Sequence, residues 1–166
     1  MTAGFDIGVL SDAHDRAVFN SGVDALDRYF RDQATQDVRR RASACYVAVD
    51  VRNGKVAGYY TLAAAGVALT DLPEPMIKKL PRYPSVPVAR MGRFAVDTSY
   101  RGQHLGAALL WDAALRASRS EVAIFALIVD AKDDTAGAFY RHHGFVPFGG
   151  SLRQFVLPLG SLAKKA

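Results

Sequence analysis

Residues 90–110, with the sequence RMGRFAVDTSYRGQHLGAALL, join an apolar stretch to a helix through a short turn. The apolar stretch ends at Val96, and the turn after it is rich in small and polar residues. The first N–H groups of a helix have no partner inside it, so they favour an anion together with the helix dipole. Gly102 lets the main chain approach phosphate oxygens, and Arg101 adds a permanent positive charge. The segment therefore predicts a phosphate-binding strand–turn–helix, with a plain strand-to-helix connection as the alternative.

The remaining chain alternates between apolar stretches and segments with helical spacing, which predicts an α/β fold with a mixed central sheet and flanking helices. The predicted strands cover residues 5–10, 44–51, 56–69, 88–96, 122–129, 145–148 and 154–157. The predicted helices cover residues 74–79, 105–118 and 133–143. A further helix follows residue 22, carries Leu26, Tyr29 and Phe30 on one face, and continues or restarts as far as Arg41. The length of 166 residues predicts a single domain, 1–166.

Three short signals predict how these elements begin and end. Asn53-Gly54 lies between two strands and predicts a tight hairpin in which both residues take positive φ. Ser21, with Asp24 three residues later, predicts the N-cap of the first helix. Gly144 predicts a left-handed C-cap for the helix over 133–143.

Positive charge is concentrated in the middle of the chain. Residues 36–101 hold eleven basic and five acidic residues, a net charge of +6, against +5 for the whole chain. Such a region favours a polyanionic partner, and an ordinary solvated surface is the alternative.

Composition argues against several other classes of protein. With Cys45 as its one cysteine, the chain has no internal disulfide and suits a reducing compartment such as the cytoplasm, and its apolar neighbours predict a buried thiol. The longest uncharged apolar run, 56–70, is interrupted by Gly58 and Gly66 and is too short to cross a bilayer. The first ten residues lack the basic start of a signal peptide. Four scattered histidines and one cysteine do not have the spacing of metal ligands, so no metal and no membrane are expected.

The stretch FAVDTSYRGQHLGAALL resembles motif A of the GNAT acetyltransferases, whose core pattern is Arg/Gln-x-x-Gly-x-Gly/Ala. The resemblance implies the GNAT (acyl-CoA N-acyltransferase) fold and acetyl-CoA as co-substrate, with the loop holding the pyrophosphate and the strand pairing with the pantetheine arm. It assigns the pantetheine contacts to Phe94, Ala95 and Val96. It assigns the phosphate contacts to Arg101, Gly102, Gln103, His104, Leu105, Gly106 and Ala107.

His104 departs from this pattern, because it stands where the first glycine is expected. If the position requires positive φ, histidine is tolerated there better than most side chains. The alternative is that the imidazole donates a hydrogen bond of its own to a phosphate.

The stretch LIVDAKDDTAGAFYRHHGF resembles motif B of the same family, a strand followed by a helix. In the family this strand diverges from the motif A strand and the gap admits the thioester. The resemblance makes Tyr140 the general acid that protonates the departing CoA thiolate, with simple packing as the alternative. Tyr59 and Tyr60 compete for the role, but their place in a strand favours packing. His142 and His143 lie in the last helical turn, where the helix dipole explains them without a role as base.

Four stretches covering most of the chain resemble the TacT-like acetyltransferase toxins of bacterial toxin–antitoxin systems. They are FNSGVDALDRYFRDQATQDVRRRASACYVAVD, VAGYYTLAAAGV, LPRYPSVPVARMGRFAVD and LIVDAKDDTAGAFYRHHGF. The resemblance implies acetylation of the α-amino group of aminoacyl-tRNA, which blocks peptide-bond formation and inhibits translation. It also implies a ribbon-helix-helix antitoxin as partner, transcription repression through operator DNA bound only by the toxin–antitoxin complex, and a homodimer, as in many members.

Within this interpretation the basic middle region supplies candidate contacts to tRNA phosphates. They are Arg39, Arg40, Lys78, Lys79, Arg82, Arg90 and Arg93. Arg90 and Arg93 have opposite parity along one strand, so at most one of them faces a given surface. For Arg93, pairing with a nearby carboxylate is the alternative. An aminoacyl α-amine is less basic than a lysine amine, so the need for a strong general base is smaller, and no obvious one lies near the motifs.

Two other functions fit the same residues. One is a GNAT enzyme that acetylates a small amine or a protein amine, for which acidic residues around the acceptor site are expected. The other is a non-catalytic nucleic-acid-binding module in which His104 marks a degenerate cofactor loop. Binding of acetyl-CoA separates this module from an enzyme.

Overall fold

The computed structural model describes residues 4–160 and Leu162. The strands are β1 (Phe5–Val9), β2 (Ala44–Asp50), β3 (Val56–Ala68), β4 (Ser85–Val96), β5 (Ala126–Asp130), β6 (Val146–Pro147) and β7 (Gln154–Pro158). The α-helices are α1 (Asp24–Asp32), α2 (Ala34–Arg39), α3 (Glu74–Ile77), α4 (Leu105–Ser118) and α5 (Asp134–His142), and 3₁₀ turns cover Leu69–Asp71 and Thr98–Tyr100. The order of strands and helices is the one predicted from the sequence.

The strands form one seven-stranded sheet in the order β1-β2-β3-β4-β5-β7-β6. β4 and β5 pair in parallel, whereas β1–β2, β2–β3, β5–β7 and β6–β7 pair antiparallel. The predicted mixed α/β sheet with flanking helices is therefore confirmed. Within the described residues, no helix is long and apolar enough to cross a membrane.

The chain packs into two compact units. The first combines the chain up to Ala63 with Gly92–Ala113, and the second combines Ala64–Met91 with the chain from Ala114 onward. The core of the first unit is built around Phe19, Phe30, Val47, Val56 and Tyr59. The core of the second unit is built around Val86, Val88, Ile128, Phe148 and Val156.

Aromatic rings dominate the core of the first unit. Phe30 and Tyr59 stack with their ring centroids 4.2 Å apart, and Phe19 meets both rings edge-on. The Tyr59 hydroxyl donates a hydrogen bond of 2.6 Å to the Leu26 carbonyl, so this buried polar group has its partner. Cys45 belongs to the same core, and burial raises the pKa of its thiol to about 12. The predictions of a packing role for Tyr59 and a buried, unreactive Cys45 agree with this arrangement.

The start of α1 differs from the prediction. The N-cap is Val23, which supplies no side-chain hydrogen bond, and Ser21 lies outside the helix. The Ser21 hydroxyl donates instead to Asp27 Oδ1 at 2.6 Å, and the Ser21 amide donates to the same carboxylate. The predicted Ser21–Asp24 cap is therefore wrong, because Asp27 reaches back one turn and holds Ser21 in its own loop. α1 ends at Asp32 and the chain restarts as α2, which settles the choice between one helix and two.

The β2–β3 hairpin is wider than the prediction. Of its two turn residues, Gly54 has positive φ (+74°), and Asn53 is not among the positive-φ residues. The Gly54 amide donates to the Asp50 carbonyl at 2.8 Å, and the Asp50 side chain binds the Arg52 amide inside the loop. The hairpin itself is confirmed, but positive φ at both residues is wrong because these bonds to Asp50 shape a longer turn.

β5 begins later than the predicted strand over 122–129. It covers Ala126–Asp130, and Val122 is 74% exposed. The first part of the apolar run therefore leads into the sheet without joining it, which hydrophobicity alone does not reveal.

Candidate active site

The end of β4 is tied to a turn from the N-terminal part of the chain. Asp97 caps the 3₁₀ turn Thr98–Tyr100, because its Oδ1 accepts a hydrogen bond from the Ser99 amide at 2.9 Å. Its Oδ2 accepts a second bond, also of 2.9 Å, from the Asn20 amide. Burial opposes the charged form of Asp97, but these amide bonds outweigh it and lower the pKa of the carboxyl. One buried carboxylate thus fixes where the loop after β4 begins.

The loop before α4 has the geometry of an anion cradle. Gly102 has φ +78° and His104 has φ +61°, and residues 101–104 are all exposed. The His104 carbonyl accepts the first bond of the helix, from the Ala108 amide at 3.2 Å. The amides of Leu105, Gly106 and Ala107 therefore open the helix, where main-chain N–H groups favour an anion. The left-handed conformation that sequence analysis considered for His104 is present.

Arg101 anchors this loop. Its Nη2 donates a hydrogen bond of 2.9 Å to the Ser21 carbonyl. A Cβ at Gly22 would lie 3.1 Å from the same nitrogen, so the turn at Gly22 leaves room for the guanidinium. The sequence predicted that Arg101 contacts phosphate, and the structure adds a second task that local sequence did not reveal.

Gly58 lets α4 sit close to β3 and β4. A Cβ at this position would lie 2.8 Å from Leu109 Cδ1 and 3.0 Å from the Ala95 carbonyl oxygen. Real Cβ atoms do not approach to 2.8 Å, so a larger residue would require the Leu109 side chain to shift and the Ala95 backbone to move by a few tenths of an ångström. Leu105 and Leu109 are fully buried on this side of α4. Sequence analysis treated Gly58 only as an interruption of an apolar run and missed this role.

The predicted pantetheine strand extends beyond its ladder with β5. The parallel register pairs Val88–Met91 with Ala126–Val129, whereas β4 continues to Val96. Ala95 is buried in the core of the first unit, and Phe94 and Val96 are half-buried. Residues 92–96 therefore lie outside the β4–β5 ladder, as a strand that also pairs with a ligand requires.

Tyr140 lies on α5 in the second unit. Asp133 caps this helix by accepting a hydrogen bond from the Ala136 amide at 2.8 Å. The Tyr140 side chain is 5% exposed and its ring packs against Phe145 and Phe155. Burial, together with the negative charge of Asp130, raises the pKa of its phenol, so the group keeps its proton at neutral pH. Within the part of the chain that the structure describes, the hydroxyl makes no hydrogen bond.

The other side chains that sequence analysis considered for a catalytic role make contacts of their own. The buried Tyr60 donates its hydroxyl hydrogen bond to Asp112 Oδ2 on α4. His143 packs edge-on against Phe139, and burial, with a smaller effect of His142, lowers its pKa. His143 is also the C-cap of α5 and Gly144 has φ +91°, as predicted for the end of this helix. In residues 4–160 and 162, no group of three or more His, Cys, Asp or Glu is placed to hold a metal ion.

The seven basic candidates fall into different surroundings. Arg39 and Arg40 are exposed at the end of α2, whereas Lys78, Lys79 and Arg82 are exposed in the second unit. Arg90 pairs with Asp130, with Nη1 and Oδ2 2.6 Å apart. The Arg93 guanidinium lies over the Tyr29 ring, 4.0 Å from its centroid. The carboxylate partner considered for Arg93 is therefore wrong, and it is Arg90 that has one.

Comparison with known proteins agrees with this geometry. The family model described as "Acetyltransferase (GNAT) family" matches residues 10–145. A protein of Mycobacterium tuberculosis named "tRNA-acetylating toxin" is 38% identical over 138 residues, which cover 82% of this chain and 81% of that protein.

Solved structures of bacterial toxins have the same fold. AtaT complexed with acetyl-methionyl-tRNAfMet is 29% identical, with a TM-score of 0.87 over 97% of this chain and 98% of that one. A tyrosine-to-phenylalanine mutant of the AtaT toxin, bound to the C-terminus of the antitoxin AtaR and acetyl-CoA, is 25% identical, with a TM-score of 0.78 over 98% of each chain. Because the family model spans most of the chain and a relative of 38% identity covers four-fifths of it, the chain belongs to the GNAT family of acetyltransferases.

Proposed function

We propose that this protein is an acetyl-CoA-dependent N-acetyltransferase toxin that acetylates the α-amino group of aminoacyl-tRNA and thereby inhibits translation. The observation that carries the proposal is the 38% identity with a tRNA-acetylating toxin across most of both chains. The likeness to AtaT, whose structure holds acetyl-methionyl-tRNAfMet, supports the same substrate class. Acetylation removes the nucleophilic amine on which peptide-bond formation depends.

The loop before α4 suits the pyrophosphate of acetyl-CoA. Gly102 and His104 have positive φ, and the exposed residues 101–104 lead directly to the main-chain amides that open α4, where an anion is favoured. Arg101 adds charge while it holds the loop to Ser21. The residues that fit the phosphate contacts are Arg101, Gly102, Gln103, His104, Leu105, Gly106 and Ala107. Phe94, Ala95 and Val96 offer main-chain groups beyond the β4–β5 ladder to the pantetheine arm.

Tyr140 is the general acid of the proposed reaction. The α-amine attacks the thioester carbonyl, the new C–N bond forms, and the C–S bond breaks. The phenol of Tyr140 then gives its proton to the departing thiolate, the amine loses its extra proton to solvent, and the Tyr140 phenolate regains a proton from solvent. The raised pKa means that Tyr140 is protonated at neutral pH, and within the described residues its hydroxyl is not engaged in another hydrogen bond.

Binding partners extend the proposal. An antitoxin neutralises the enzyme, as the complex of AtaT with the C-terminus of AtaR suggests. A ribbon-helix-helix antitoxin, operator DNA bound by the joint complex, a homodimer and a location in the cytoplasm remain predictions from the family resemblance. A single domain over 1–166 also remains a prediction, supported by β3, β4 and α4, each of which runs through both compact units.

The test is acetylation of total charged tRNA with radiolabelled acetyl-CoA, followed by mass analysis of the aminoacyl-adenosine ends. The expected result is one acetyl group on the amino acid of one or a few charged tRNAs. Uncharged tRNA and charged tRNA whose amine is already blocked are the matched controls, because both keep every phosphate but lack the free amine. Label on blocked tRNA, or only on polyamines or protein amines, would overturn the proposed substrate.

A further inference from the structure

Arg93 lies on the surface of the first unit, over an aromatic ring. Its guanidinium carbon is 4.0 Å from the centroid of the Tyr29 ring, and Tyr29 itself is buried. The Arg93 amide donates a hydrogen bond of 2.9 Å to Thr61 Oγ1, which fixes the backbone below the side chain. A guanidinium over an aromatic ring is held there by a cation–π attraction, and its N–H groups lie in one plane.

Asp37, a carboxylate within electrostatic range of Arg93, already accepts two hydrogen bonds. Asp37 Oδ2 accepts a hydrogen bond of 2.7 Å from the Tyr29 hydroxyl, and Oδ1 accepts one of 3.0 Å from Gln33 Nε2. These two bonds lower the pKa of Asp37, with smaller contributions from the charges of Arg93 and Arg40. Asp37 therefore stays ionised within electrostatic range of two arginines without forming a salt bridge to either.

The contrast with Arg90 shows what this arrangement achieves. Arg90 lies three residues earlier on β4 and forms a salt bridge with Asp130. Among the salt bridges within residues 4–160 and 162, none involves Arg93. Arg93 is exposed, so a ligand in solution can reach its side chain. A planar donor set of this kind matches two oxygens of one phosphate group.

We propose that Arg93 binds a backbone phosphate of the charged tRNA, with Tyr29 and Asp37 as positioning residues. Tyr29 supplies the ring on which the guanidinium lies, and its hydroxyl holds the Asp37 carboxylate away from Arg93. Arg40, which also acts on Asp37 through its charge, extends the same basic surface. This inference rests on the proposed function, because it names one contact by which that enzyme recognises its substrate.

The first experiment separates phosphate binding from chemistry. Arg93→Gln, Arg93→Lys and the wild type are compared on charged tRNA and on the aminoacyl-adenosine that ribonuclease releases from the same tRNA, which lacks the backbone phosphates. For charged tRNA, both variants should lose about tenfold in kcat/KM, as expected for one charge-assisted contact. Because kcat/KM falls as salt rises, the slope of log(kcat/KM) against log[salt] is negative. Arg93→Gln should make this slope shallower by about one, whereas Arg93→Lys should leave it unchanged. Activity on aminoacyl-adenosine should be unchanged.

The second experiment tests the positioning residues. Tyr29→Phe keeps the ring but removes the hydroxyl, which frees Asp37 to pair with Arg93 and should lower kcat/KM for charged tRNA. Adding Asp37→Asn to Tyr29→Phe removes the competing charge and should restore most of that loss. A role of Tyr29 in folding alone predicts no such rescue, because the second substitution removes yet another hydrogen-bonding group.

Three outcomes overturn the inference. Equal losses on charged tRNA and aminoacyl-adenosine would place Arg93 in the chemistry or the fold rather than on a phosphate. Full activity of Arg93→Gln on charged tRNA would exclude the contact, and failure of Asp37→Asn to rescue would exclude the positioning role. If the wild type acetylates no tRNA, the proposed function fails separately, and filter binding of uncharged tRNA to wild type and Arg93→Gln still decides whether Arg93 binds the backbone.

Discussion

The Arg101 guanidinium donates a hydrogen bond of 2.9 Å to the main-chain carbonyl of Ser21, 80 positions earlier in the chain. This bond fixes the base of the loop that leads into α4. Asp97 holds the neighbouring Asn20 amide, so both ends of the 3₁₀ segment are tied to the same N-terminal turn. The proposed pyrophosphate site is therefore shaped by residues far apart in sequence.

Replacing Arg101 tests this anchor. Arg101→Ala should raise the Kd for acetyl-CoA about tenfold, because both the loop anchor and a nearby charge are lost. Arg101→Lys keeps the charge but not the planar donor group. Its Kd for acetyl-CoA, measured by calorimetry, should lie between those of the wild type and Arg101→Ala. A Kd for Arg101→Ala equal to that of the wild type would mean that acetyl-CoA binding needs neither the bond to Ser21 nor the charge of Arg101.

His104 offers a test of left-handed strain. His104→Gly should raise the free energy of unfolding by about 1 kcal/mol, since φ near +60° costs a side chain about that much. Gly102→Ala is the matched control and should lower the free energy of unfolding. The φ of Gly102 is +78° and open space surrounds it, so the new methyl group adds only backbone strain. Urea unfolding measures both. Acetyl-CoA affinity should not fall in His104→Gly, and a tenfold loss would show instead that the imidazole binds phosphate.

Tyr140→Phe removes only the proposed acidic proton. We expect acetyl transfer to charged tRNA to slow by about 10²–10⁴-fold and toxicity on expression to disappear. The ring contacts with Phe145 and Phe155 remain, so the thermal midpoint and the Kd for acetyl-CoA should hold. A variant that stays fully toxic would assign the acid to another group.

Charge reversal in the second unit tests the tRNA surface. Lys78→Glu combined with Lys79→Glu should lower kcat/KM for charged tRNA by tenfold or more at low salt, roughly the effect of several lost phosphate contacts. The loss in kcat/KM should become smaller as added salt screens the surface charges, and the Kd for acetyl-CoA should be unchanged. Arg119→Glu, an exposed reversal outside the proposed site, is the control. Equal loss of tRNA acetylation and acetyl-CoA binding would argue against separate sites.

Asp50 makes stability depend on acid pH. Its side chain binds Arg52 and accepts a hydrogen bond of 2.8 Å from the Tyr100 hydroxyl, and the bonds from Arg52 hold its pKa well below the ordinary range. A carboxyl with a depressed folded-state pKa stabilises the fold above its unfolded pKa of about 4 and loses that contribution as pH falls further. The free energy of unfolding should therefore drop below about pH 4. Asp50→Asn should flatten that part of the profile, and an unchanged profile would assign the dependence to other carboxylates.

Local patterns were enough to predict the parts of this molecule that local forces determine. The bounds of α4, the left-handed Gly144 that follows α5 and the left-handed option at His104 follow from neighbours within one or two turns of the chain. The partners of Arg93 and Arg101 did not follow, because they depend on which distant segments pack together. The predicted cap at Ser21 failed for a local reason, since Asp27, six residues later, binds Ser21 instead. Gly58 was missed for the same reason, since its constraint comes from Leu109 and Ala95.

The bonds from Asp97 and Arg101 to the turn at Asn20–Ser21 have a consequence for the timing of folding. They join segments 77 and 80 positions apart, and contacts of such separation form only after the chain has closed a long loop. The turn before α4, the proposed pyrophosphate site, thus gains its shape together with the first unit as a whole. During synthesis the proposed coenzyme site therefore forms late, once at least the first 101 of the 166 residues have left the ribosome.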